Sequence, residues 1–232
     1  MKAIRCRGDS RLAQQADTKE RILDAAEALF SEHGFVNTSM RSITQSANVN
    51  LAAVNYHFGS KEELIKAVFA RRLLPLNEER IRRLDDVLAQ GVTLERLLEA
   101  FIAPHLELSQ DHEEVGDRFV RLIGRGYTDH AEFLRDHIHQ LNKPCVARFK
   151  EAFAAELPHL PRKELSWRLH FLVGAVAHTM AGPDMIRLMA GRRISDHGNA
   201  QALVQRLIPF LAAGLQAPLP ESLPDLELRH AG

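Results

Sequence analysis

Apolar residues recur at helical spacing through almost the whole chain, and no segment sustains the period-two alternation of a half-buried strand. That pattern restricts the fold to packed helices. Residues 17–32 place Ile22, Ala25, Ala26, Leu29 and Phe30 at i, i+3, i+4, i+7 and i+8, one apolar face. Asp17 or Thr18 can cap the start, and Gly34 can take the positive φ that a helix end needs. A short second helix reads from Ser39 to about Ala47, with Thr38 or Ser39 as cap and Met40, Ile43 and Ala47 facing inward. Asn48-Val49-Asn50 is a turn, because asparagine tolerates the left-handed conformation. Asn50 can cap a third short helix, Leu51 to His57. After Gly59, Ser60 and Glu63 have the spacing of a capping box for a fourth helix. Its buried stripe is Leu64, Ile65, Val68 and Phe69, and Pro75 is expected to kink or shorten it.

Beyond residue 90 the pattern is long helices with polar joints, over 93–108, 112–126, 129–156, 162–190 and 197–214, with Pro104, Pro144 and Pro183 interrupting three of them. The expected organisation is all-α. A flexible basic arm (1–16) precedes a three-helix helix-turn-helix unit (17–62). A larger helical unit (63–215) and a loose proline-containing tail (216–232) follow. The 232 residues suffice to bury a real core. Thirty basic and thirty acidic residues cancel, which excludes a globally basic nucleic-acid coat but not a local basic face; residues 1–11 carry a net of +3. The two cysteines, Cys6 and Cys145, form neither a disulfide scaffold nor a zinc set, so a reducing cytoplasm fits best. The start has no apolar signal core, and the most apolar stretch, Phe171 to Met180, contains His178 and is too short to span a bilayer.

Two short helices joined by a three-residue turn and packed on a longer one match a helix-turn-helix. The second must be slim and polar on one side to enter a major groove about 12 Å wide. Leu51 to Phe58 fits: Val54 and Phe58, at i and i+4, anchor inward, while Ala52, Ala53, Asn55, Tyr56 and His57 face out. Alanines allow close approach and can touch thymine methyls, and Asn55 and Tyr56 can reach base edges or phosphates.

These residues carry a resemblance. Thr18-Lys19-Glu20-Arg21-Ile22-Leu23-Asp24-Ala25-Ala26, Leu29-Phe30, Gly34-Phe35, Thr38-Ser39-Met40-Arg41 and Tyr56-His57-Phe58-Gly59-Ser60-Lys61 resemble, in order and spacing, the TetR family of one-component repressors over residues 17–70. Asn48 stands where that family usually has glycine, and the aromatic of its Leu-Tyr-any-His-Phe string is shifted by one, to Tyr56. The resemblance implies a homodimer on a palindromic double-stranded operator, with Thr18, Arg41, Tyr56, His57 and Lys61 as phosphate or base contacts and Ala52 and Ala53 at base-reading positions. Free N–H groups at Ser60-Lys61 and the Lys61 charge suit a phosphate. Asn50 and Asn55 complete the candidate interface. A narrower resemblance, carried by the 52–61 string with Phe119-Val120-Arg121-Leu122-Ile123-Gly124, Trp167-Arg168-Leu169-His170-Phe171 and Ile208 to Gly214, is to PsrA-type repressors, and implies a long-chain fatty acid or acyl-CoA inducer.

For that inducer the candidate wall is Phe119, Leu122, Trp167 and Phe171, with Arg121 and then His170 as the cation or donor for its head. Arg121 can equally snorkel or pair with a carboxylate, and Trp167 with Phe171 at i+4 can equally be core. Gly174 makes one helix slim, and Val204, Leu207, Ile208 and Leu211 form a seam on the last. The family resemblance implies that these last two helices pair with their copies in a dimer four-helix bundle; an intramolecular core would use the same residues. His137 and His139 point to different sides of a helix, so no metal or other cofactor is expected. No nucleophile–base or paired-carboxylate spacing suggests catalysis. The alternatives are a regulator of efflux or other catabolism with a different hydrophobic inducer and, more remotely, a helical protein-binding adaptor.

Overall fold

A computed structural model describes residues 7–108 (7–14 as backbone), 118, 122, 132–180, 188–190 and 199–219. Among the described residues the regular structure is entirely helical: α1 (Arg7–Asn37), α2 (Met40–Ala47), α3 (Leu51–Phe58), α4 (Lys61–Gln90), α5 (Leu94–Leu108), α6 (Glu132–Glu156), α7 (Arg162–Met180) and α8 (Ala200–Gln216). The helix expected over 112–126 lies outside the described residues save Arg118 and Leu122, as do residues 181–187 of the one expected to reach 190.

The N-terminal arm, expected to be loose through residue 16, is helical from Arg7. Leu12 to Ala16 holds only good helix formers and no breaker, so α1 propagates backwards. Gly34 (φ 79°, ψ 168°) breaks α1, and the Thr38 hydroxyl donates to the Gly34 carbonyl at 2.8 Å, closing the exit. Ser39 caps α2 in a capping box with Ser42. Asn48 is left-handed (φ 51°, ψ 52°), the role expected of it. The Arg21 guanidinium on α1 donates at 2.7 Å to the carbonyls of both Ala47 and Asn48, tying the turn down. Pro75 does not shorten α4, which runs through it for 30 residues. Buried Leu73 and Leu76 on either side hold the helix while exposed Pro75 faces water, so only one backbone hydrogen bond is lost.

Two apolar clusters share α4. Ile22, Phe30, Phe35, Ile43, Val54, Phe58, Leu64 and Phe69 centre the first, which also takes in Leu122 and Leu134. Leu84, Leu97, Ile102, Phe149, Phe153, Leu172 and Leu211 belong to the second. Helix α8 packs on α5, α4 packs on both α5 and α6, and α7 lies against α8. One rod thus runs from the small N-terminal unit into the centre of the larger one.

Candidate nucleic-acid interface and effector domain

The third helix is presented as its spacing requires. Val54 (0% exposed) and Phe58 (8%) anchor α3 to the first cluster. Ala52, Asn55 and Tyr56 are exposed and Ala53 and His57 half-exposed, so the outer face is a slim strip without acid, lysine or arginine. Tyr56 stands 75% exposed with its ring edge-on to His57, centroids 5.2 Å apart. Arg41 is exposed on the first turn of α2. Half-exposed Lys61 opens α4, and partial burial draws its ammonium below its ordinary pKa. Thr18 is half-buried on α1. Asn50 is placed differently from a free DNA contact: its Oδ1 accepts from the Ala53 N–H at 2.8 Å, so the oxygen caps α3 and only the amide hydrogens remain for another partner.

A buried ionic joint, missed in the sequence, ties this head to α4. Glu20, Asp24 and Glu27 lie on one face of α1. Glu27 is 2% exposed and accepts from Arg72 at 2.8 and 3.1 Å and from Arg71, whose Nη1 also meets Asp24 at 2.7 Å and Glu20 at 3.3 Å. The legible signal was Glu27 at i+4 from Leu23 and i−3 from Phe30, an acid on an apolar stripe.

The effector-domain expectations are redistributed. Phe119 and Arg121 lie outside the described residues. Leu122 is fully buried, but in the cluster shared with Leu73 and Leu76. Trp167, His170 and Phe171 do not form an interior wall: Trp167 is 53% and Phe171 64% exposed, their rings stacked at 5.9 Å on the outer face of α7, with His170 exposed between them. The opposite face of α7, with Leu165, Arg168, Leu172 and Val176, is the one the core takes. Correspondingly, Val204 and Leu211, read as seam, are core residues, while Leu207 and Ile208 are half-buried against the same cluster. Gly174 is exposed, and a Cβ there would meet nothing within 4 Å. Arg168, quoted in the resemblance but given no role from the sequence, is buried and links α7 to the end of α8. It donates to Glu164 at 2.8 Å, to the Leu215 carbonyl in the last turn of α8 at 2.8 Å and to the carbonyl of Ala217, just past the helix, at 2.6 Å. Half-buried His137 and exposed His139 diverge, and no group of three metal-ligating side chains occurs among the described residues. No described helix is long and apolar enough to cross a membrane.

A head with an exposed slim helix, joined by one rod to a helical body, meets its counterpart in known proteins. Residues 22–68 match the family described as bacterial regulatory proteins, tetR family. Residues 99–214, half of the chain, match the family described as Tetracyclin repressor-like, C-terminal domain. The chain belongs to the TetR family of transcriptional regulators. The HTH-type transcriptional regulator UidR of Escherichia coli (strain K12) is 40% identical over 60 residues, 26% of this chain and 31% of that protein. SrpR of Pseudomonas putida is 38% identical over 64 residues, 28% of this chain and 30% of that protein. The chain matches about a third of the length of these curated relatives. Two solved structures share the fold along most of their length. The fatty acid degradation regulator FadR from Bacillus halodurans has a TM-score of 0.64 at 15% identity, covering 86% of this chain and 96% of its own. FadR from Bacillus subtilis, in complex with stearoyl-CoA, has a TM-score of 0.63 at 16% identity, covering 84% and 98%. In this TetR-family chain the α2–turn–α3 unit lies inside the matched residues 22–68.

Proposed function

We propose that this regulator is a homodimeric, cytoplasmic repressor without catalytic activity, released from a palindromic operator by a long-chain fatty acid or its acyl-CoA. The observation that carries the DNA half is the outer face of α3, free of packing and flanked by Arg41 and Lys61. The effector class is supported by the overlap with a structure in complex with stearoyl-CoA and by the PsrA-like segments.

The dimer reading rests on an uncovered apolar face. Trp167 and Phe171 on α7 and Phe210 (69% exposed) on α8 stand out, and Cβ atoms at Gly174 and Gly214 would meet open space. Single exposed aromatics are ordinary, but three on two helices that pack together and that Arg168 ties favour an interface. A second copy supplies matching helices at no extra cost, and the two α3 helices then read successive half-sites. Because α4 leaves the head and enters the body, an effector that shifts α4 changes the spacing of the heads. DNA and effector then weaken each other by the same factor, ordinarily about 1–3 kcal/mol.

The test is a mobility shift on a palindromic fragment of the protein's own promoter, with acids and thioesters of eight to eighteen carbons. Release by long chains at micromolar concentration, with octanoate nearly inactive, is the expected result, since each buried methylene favours binding by about 0.8 kcal/mol before ordering costs. If no chain length releases DNA, the acyl reading fails. Phe171→Glu is expected to give a monomer by light scattering and to lose operator binding; a stable dimer in that variant refutes the α7–α8 interface.

A further inference from the structure

The inner stripe of α4 runs Leu73, Leu76, Asn77, Arg80, Leu84 and Val87, and two of its members are polar. Asn77 is satisfied in part, donating to the Leu141 carbonyl at 3.2 Å and to Asn142 Oδ1 at 3.0 Å. Arg80 is different. It is 6% exposed, its Nε–H donates to the Phe101 carbonyl at 2.9 Å, and its guanidinium carbon lies 4.1 Å from the centre of the Phe101 ring. A guanidinium has five N–H donors, and among the described residues no carboxylate pairs with this one. The other arginines of α4 (Arg71, Arg72, Arg82 and Arg83) each have an acid against them.

The neighbours do not supply the missing charge. Cys145 is buried on α6, and burial pushes its thiol up despite the attraction of Arg80 and Arg148, so it keeps its proton at neutral pH. His105 on α5 is held well below its ordinary pKa, first by burial and then by Arg80. It is neutral, and its buried Nδ1 makes no hydrogen bond. A buried cation thus stands beside a second unspent polar atom, inside a cluster of Leu84, Phe101, Leu106 and Phe149. Burying an unpaired charge costs several kcal/mol, a cost that an anionic guest would offset.

We infer that Arg80 and His105 anchor the carboxylate of an effector that enters as a free acid with an apolar body, rather than as its coenzyme A thioester. This rests on the ligand-responsive reading above and selects within it. A planar guanidinium matches one carboxylate through two parallel N–H···O bonds, and neutral His105 adds one more hydrogen bond. A thioester carbonyl is uncharged and leaves the cation unpaired. The thioester's phosphates would satisfy it only if the whole nucleotide were buried.

The experiment is calorimetric titration of the purified full chain, without DNA, with hexadecanoic acid, hexadecanol and hexadecanoyl-CoA. The acid is expected to bind at least about tenfold tighter than either, the scale of one charge-assisted bidentate contact. Arg80→Gln is expected to bring the acid down to the alcohol's affinity while leaving the alcohol unchanged. Equal or tighter binding of alcohol or thioester, no binding of the acid, or an acid preference that survives in Arg80→Gln overturns the assignment. Should Arg80→Gln not fold, the ¹³C carboxyl signal of labelled acid on the wild-type chain decides. A carboxylate beside a guanidinium titrates below the free acid, and one that titrates at or above it refutes the anchor. A mobility shift run in parallel separates the two readings. An acid that binds through Arg80 without releasing operator leaves the anchor standing and refutes acyl-induced release. Release by the thioester alone does the reverse.

Discussion

Glu27→Ala isolates the joint between the head and α4. Glu27 is 2% exposed and is the partner through which α1 holds Arg72, by contacts of 2.8 and 3.1 Å, as well as one of three acids on Arg71. Removing one member of a buried ion pair costs about 3–5 kcal/mol. Here the value falls near the lower end. Arg71 keeps Asp24 and Glu20, and the Arg71 and Arg72 side chains, 18% and 23% exposed, can turn toward water. We expect about 3 kcal/mol. Asp24→Ala removes an acid that is 71% exposed from the same arginine and is expected to cost less than about 1 kcal/mol. Urea unfolding at fixed protein concentration reads both, with an unchanged slope required for a clean comparison. A Glu27→Ala cost within about 1 kcal/mol of wild type, or equal to that of Asp24→Ala, would show that the contacts do not hold α1 on α4.

Further outcomes follow from other sites. Ala53→Asp is expected to abolish operator binding in an anisotropy titration with little change in helix content, because a carboxylate would face bases and phosphates; full affinity would mean that α3 is not the reading helix. Lys61→Ala is expected to weaken operator and random DNA alike and to reduce the salt slope by about one unit. Asn48→Gly is expected to be near neutral, and Asn48→Val to cost about 1–2 kcal/mol, since only the latter forces a branched side chain into φ 51°; equal Tm values for the two would contradict the left-handed turn. His105 gains a proton in the unfolded chain near pH 6.5 but not when buried, so stability is expected to fall as pH drops from 7 towards 5. His105→Gln is expected to lose that part of the pH dependence, and an unchanged slope would count against the neutral buried imidazole.

The N-terminal unit was largely legible because its signals are local. Ser39, Asn50 and Ser60 sit at helix starts and each accepts from the N–H three residues on, and Asn48 takes the left-handed turn. Val54 and Phe58 share one side of a single helical turn and are both buried. Each of these depends on neighbours within about four residues, which the sequence states outright. The body was not legible to the same depth. Periodicity says that Val204, Leu207 and Leu211 share a face, but not whether that face meets α5 of its own chain or another copy. The fold gave Val204 and Leu211 to the core and left Phe210 outside. Trp167 and Phe171 have the spacing of buried neighbours, yet α7 turned Leu165, Leu172 and Val176 inward instead. Arg80 and Glu27 read as members of charged helices, and only the packing of α4 against α1, α5 and α6 determined that one is buried with no acid against it among the described residues and the other between two arginines. Which face of a helix is desolvated is set by contacts far apart in sequence, and desolvation is what turns an ordinary charge into a joint or an anchor.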